Sequence, residues 1–221
     1  DEELGLLVDA LDPASYPDGW LPPDAPAALA RIAGPEFTIG APGDGTVVRT
    51  GQTEPPTVLV TRRAAGTPED FLDLLIAEAL VHAGAGRPEN ALAHLGGRYR
   101  ELADALALGP VELYQVAAAL FDAWLGLAFR ETAAGWADDH PRLHAAWTDA
   151  GARLTDRLDG LTDEVATGET SLPAATEFAC AAVRHDLALP APFDALADPA
   201  HREHGAAYAV RWATRVFGDV D

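Results

Sequence analysis

The chain has 221 residues, 48% of them hydrophobic and 7% aromatic, and carries a formal net charge of −20 at pH 7. All 15 basic residues are arginine, set against 35 Asp and Glu. A single cysteine, Cys180, excludes an internal disulfide and a cysteine-based zinc cluster, and the acidic field opposes a polyanion such as nucleic acid.

Residues 1–66 have a texture of their own. Leu4 to Leu11 reads as a short helix ended by Asp12-Pro13, and Ala27 to Ala33 as a second, stopped by Gly34-Pro35. Three β-like runs follow, Phe37–Ile39, Thr46–Thr50 and Thr57–Thr61, with Gly43-Asp44-Gly45 and Gln52 to Pro56 as turns. They predict a small antiparallel meander. Gly40 to Gly45 is glycine-rich, yet it leads into a strand and has no lysine, so it reads as a turn and not as a phosphate loop.

From Thr67 the period becomes helical. Thr67-Pro68-Glu69-Asp70 supplies a cap, a proline at the first position and acids in the first turn of a helix from Pro68 to about Ala83. A second is predicted from Pro88 to Leu108, weak at Gly96-Gly97, and a long apolar one over Val111–Arg130. Glu112, Gln115 and Asp122 interrupt that apolar run, which marks it as a core helix and not a membrane span. Further helices fit His140–Leu158, Leu172–Leu187 and Asp198–Phe217. The fold class expected is therefore mainly α: a bundle of about six helices over residues 67–221. The short helices and the meander of residues 1–66 are expected to pack on it.

Three groups of side chains qualify as candidate sites. Glu78 and His82 share a stripe with Phe71 and Leu75 on a helix that is apolar almost all round. Glu112, Gln115 and Asp122 form a narrow polar stripe on the long helix. Facing each other, Glu78, His82, Glu112 and Asp122 would line a carboxylate-rich pocket with one imidazole, able to act as acid and base or to hold a cation. His140 and His144 lie four apart beside Asp138 and Asp139, a weak metal pattern whose simpler reading is a capped helix start. His201, His204, Tyr208, Arg211 and Arg215 recur at near-helical spacing, a basic and aromatic stripe suited to an acidic partner surface. His185 reads as a core histidine, and Cys180, inside an alanine-rich helix, as inert packing. The two serines, Ser15 and Ser171, lack the context of a nucleophile, and nothing calls for a cofactor.

Lysine-free acidity spread evenly along the chain (−6, −6 and −8 over residues 1–66, 67–137 and 138–221) resembles that of haloarchaeal proteins of unassigned function. What the resemblance implies is a cytoplasmic protein adapted to concentrated salt, where short Debye lengths screen self-repulsion. With no catalytic signature and with Trp124, Trp136 and Trp147 as potential anchors, the leading expectation is a non-catalytic module that binds a protein partner or forms a homo-oligomer. The alternative is a small-molecule or metal-dependent enzyme using the carboxylate/His pocket. No membrane association is expected.

Overall fold

The computed structural model describes residues 47–51, 57–60 and 67–218. Among them, ten α-helices and a 3₁₀ turn follow a two-stranded hairpin, so the chain is mainly helical. The hairpin pairs β1 (Val48–Gly51) with β2 (Thr57–Val60) antiparallel, Val48 opposite Val60 and Thr50 opposite Val58. This does not bear out the three-stranded meander. The run Phe37–Ile39, the short helices read before it and the stretch Gly40 to Gly45 lie outside the described residues. Two four-residue strands are marginal alone and need a surface to lie on; theirs is α1 (Glu69–Gly84). That contact explains why α1 is apolar almost all round: one side buries Leu74, Glu78, Ala79, His82 and Ala83, and the hairpin lies against the helix as well.

Two expected helices are each broken once, both times at a glycine with positive φ. The segment read as Pro88 to Leu108 forms α2 (Ala91–Leu95), capped by the Asn90 side chain accepting from Ala93 N–H at 2.9 Å, and α3 (Arg98–Ala105). Gly96, at φ +53°, makes the break. The long helix α4 (Pro110–Ala134) starts on its proline, with Glu112 accepting the Gly109 N–H at 3.3 Å. By length and composition α4 could cross a membrane. Here it is the axis of the fold, with Val116, Ala117, Leu120, Ala123, Phe129 and Ala133 fully buried.

After α4 come α5 (Trp136–Asp139), α6 (Pro141–Leu158) and α7 (Leu161–Thr167). Asp138 and Asp139 therefore belong to α5 and do not cap α6, whose N-cap is His140 with no side-chain bond. Arg142 ties the start of α6 to Glu69, Asp70 and Asp73 of α1 at 2.8–3.4 Å. All four are exposed, so these pairs stabilise little.

Ser171 caps α8 (Leu172–Val183) by accepting from Ala174 N–H at 3.3 Å. Along α8, Ala175, Ala179, Cys180 and Ala182 are fully buried, and these small side chains let the helix approach α4 closely. A 3₁₀ turn (Phe193–Ala197) leads to α9 (Pro199–His204) and α10 (Ala206–Gly218). The break between the last two is Gly205, at φ +48°, where an added Cβ would sit 3.3 Å from His94 Cε1 and 3.4 Å from Trp124 Nε1. Most of the core surrounds α4, while a smaller cluster of Leu74, Phe129 and Ala133 lies beneath Trp136 and Trp147.

Candidate functional site

Charged side chains from α1, α4 and the end of α8 converge at one point. Arg184, just past α8, donates from Nη1 to Glu78 Oε2 at 3.0 Å and places Nη2 3.6 Å from Asp122 Oδ2. His82 Nε2 lies 3.5 Å from Glu78 Oε1 and makes no hydrogen bond. Glu78 and His82 are buried, Arg184 keeps 20% of its side-chain surface, and Asp122 keeps about half.

Glu78, His82 and Asp122 thus do come together, as their stripes imply. Glu112 does not: it is exposed at the first turn of α4, occupied with the Gly109 N–H. The residue that sequence reasoning missed is Arg184. Its signal was a lone cation ending an alanine-rich buried helix, which needs an acid nearby, but nothing in the sequence says which one.

The charges settle as the geometry requires. Burial would raise Glu78, yet Arg184 and then His82 outweigh it and hold the carboxyl below its ordinary value. Asp122 goes the other way, pushed up to about 6 by desolvation and by the Glu78 and Glu177 charges, with Arg184 pulling against them. Solvent on its open half screens part of that push. Arg184 is raised, above all by Glu78, and stays a cation. The Cys180 thiol beside them is buried and held well above its ordinary value, hence unreactive.

The other candidates are dispersed. His140 stands edge-on to Trp136 and His144 leans on Trp147, so the two rings pack on different indoles. No group of three or more potential metal ligands occurs among the described residues. The basic stripe is split by the Gly205 break. His201 turns inward, fully buried, with Nδ1 2.9 Å from the Leu196 carbonyl and its ring stacked on Tyr208. His204, Arg211 and Arg215 remain exposed, and Tyr208 is half-buried with its hydroxyl donating to the Ala195 carbonyl at 2.8 Å. Arg211 lies 6.0 Å over the Tyr208 ring. Among the described residues neither Arg211 nor Arg215 has a carboxylate within ion-pair distance, nor does Arg153 on α6, whereas Arg98, Arg130, Arg142, Arg157, Arg184 and Arg202 are all paired.

The chain belongs to a family of unknown function, DUF7089. The family model matches residues 1–220. No curated protein matches the chain, and no solved structure does.

In this DUF7089 chain the three tryptophans considered as partner anchors are engaged internally. Trp124 donates to the Arg202 carbonyl at 3.3 Å and packs on His94, Trp136 meets Phe129 edge-on, and Trp147 donates to the Arg184 carbonyl at 2.8 Å. Of the large apolar side chains among the described residues, Phe71, Leu80 and Val111 are exposed, but Phe71 and Leu80 point to opposite sides of α1 and make no common patch.

Burial holds three histidines neutral: it lowers His201, and in two others the shift is large enough to give the fold a marked pH dependence. Burial, then the neighbouring His201 and Arg87, lower His94 to about 4. Burial and Arg184 lower His185, which lies flat against Trp147, to about 4. The unfolded chain, with ordinary histidines near 6.5, binds these protons first, so stability is present above pH 6.5 and falls as the pH drops. By pH 5 the loss is about 2 kcal/mol for each histidine. Asp122 acts in the opposite direction, less strongly because it is half exposed. Denaturant melts between pH 7.5 and 5 should show this decline, and His94→Gln with His185→Gln should flatten it. An unchanged slope in that double variant would contradict the assignment.

Proposed function

We propose that the chain is a non-catalytic interaction module that docks the acidic surface of a protein partner through the exposed ridge of α10. The observation that carries this reading is Arg211 and Arg215, one helical turn apart and free of ion pairs among the described residues, in a chain of net charge −20. Surplus acid elsewhere on the surface makes an unpaired arginine pair a local exception. Guanidinium forks match carboxylates by geometry as well as charge, so contact pairs can persist in concentrated salt where longer-range attraction is screened. The lysine-free acidic composition supports a working environment of that kind.

The enzymatic alternative gains no support from the Glu78 cluster. Arg184 engages both acids, so neither Glu78 nor Asp122 stands as an uncommitted base. Capture from an extract of the protein's own cells, kept in molar KCl, tests the module. Wild type should retain an acidic protein, a second copy included, that the Arg211→Glu/Arg215→Glu double variant loses. Equal retention by both, or no retained protein, would count against it.

A further inference from the structure

A groove of about 310 Å³ lies between α7, α8 and α10, away from the Glu78 cluster. Phe193 and Val216, both buried, are among its lining residues, with Val165, Leu172 and Pro192 beside them. Its lining carries one charged side chain, Arg215. Internal hydrogen bonds hold one wall in place. Thr162 Oγ1 donates to the Ala191 carbonyl at 2.8 Å, and Trp212 Nε1 donates to the Pro192 carbonyl at 3.1 Å. A wall already fixed before binding spares a ligand the entropy of ordering it.

We infer that this groove binds a small amphiphilic carboxylate, its aliphatic body along Phe193 and Val165 and its carboxylate on the Arg215 guanidinium. The volume is within the range of small-ligand pockets, and the lining has their usual character, an apolar body with one orienting polar group. Charge decides the class of ligand. Arg215 has no acid of its own among the described residues, so an anion gains a charge-assisted pair without displacing an existing one. A neutral amphiphile would gain only the apolar contact. The site stands whether or not α10 docks a protein, and it shares only Arg215 with that ridge.

Octanoate is the probe, titrated calorimetrically into the full chain in molar KCl, with octan-1-ol as its neutral counterpart. Octanoate should saturate a single site at millimolar concentration. Arg215→Gln should weaken it by about tenfold or more, Ala166→Trp should fill the groove and abolish binding, and octan-1-ol should bind more weakly. Arg211→Gln should leave octanoate affinity unchanged while weakening capture of a protein partner, which separates the two readings. Circular dichroism confirms that each variant is folded. Absence of saturable binding would overturn the inference. So would equal affinity in Arg215→Gln or Ala166→Trp, or equal affinity for the alcohol.

Discussion

Arg184→Ala is expected to lower the unfolding free energy by about 3 kcal/mol, and the melting temperature by on the order of 10 °C for a chain of this size. The loss comes less from the missing attraction than from what remains. Glu78 is nine-tenths buried and keeps its charge because Arg184 stands 3.0 Å away. Without the guanidinium, Glu78 must either stay ionised in a poorly solvated site or take up a proton at neutral pH, and both cost stability. Glu78→Gln should cost less, since an amide still offers Arg184 an acceptor and leaves no unpaired anion. The double variant Glu78→Leu/Arg184→Met should recover much of the loss, because apolar replacement of a whole buried pair is often neutral or better. Urea melts of wild type, Glu78→Leu, Arg184→Met and that double variant in one buffer form the cycle. A double variant as unstable as the sum of its parts would mean that the pair is not coupled and that Glu78 is held by something else.

Gly126→Ala is the second large effect expected, a destabilisation of about 2–3 kcal/mol. Alanine is ordinarily the better helix residue, by about 1 kcal/mol, so the sign itself is diagnostic. A Cβ built at Gly126 would stand 2.9 Å from Arg184 Cβ and 3.0 Å from its Cα and N. Two of those three atoms are backbone, so the end of α8 has to move away from α4. That shift would also draw the Arg184 guanidinium off Glu78, which couples this substitution to the first one. Gly97→Ala serves as the control: its φ is ordinary, −59°, and nothing lies within 4 Å of the added methyl. Thermal melts should show Gly97→Ala unchanged or slightly raised and Gly126→Ala clearly lowered. Similar melts for the two would remove the close crossing as a determinant of the fold.

Helix existence was legible wherever apolar periodicity ran long, as in the stretches read as Pro68 to Ala83, Val111–Arg130 and His140–Leu158. The weak point at Gly96-Gly97 was visible in the pattern, whereas the break at Gly205 was hidden. Gly96 and Gly205 each interrupt a run that keeps near-helical spacing on both sides, and only the tertiary contact of Gly205 with His94 and Trp124 shows why the chain must turn there. That second break changes the candidate site. His201 and Tyr208 belong to different helices, and although their rings stack, His201 turns into the core and leaves the exposed stripe. The meeting of Glu78, His82 and Asp122 followed from stripe arithmetic within single helices. The tie of Glu78 to Arg184 spans 106 residues, a separation no local pattern encodes. The short α7 and the 3₁₀ turn at Phe193–Ala197 escaped for a related reason: one or two turns carry too little periodicity to stand out.

The most direct measurement of the central claim compares, by quantitative mass spectrometry, what the wild-type chain and its Arg211→Glu/Arg215→Glu variant retain from the protein's own cell extract in molar KCl. Equal folding of the two baits is verified beforehand. Wild type should hold at least one acidic protein in stoichiometric amount, reduced about tenfold or more by the charge reversal. Indistinguishable profiles for the two baits, including the case in which both come back empty, would contradict it.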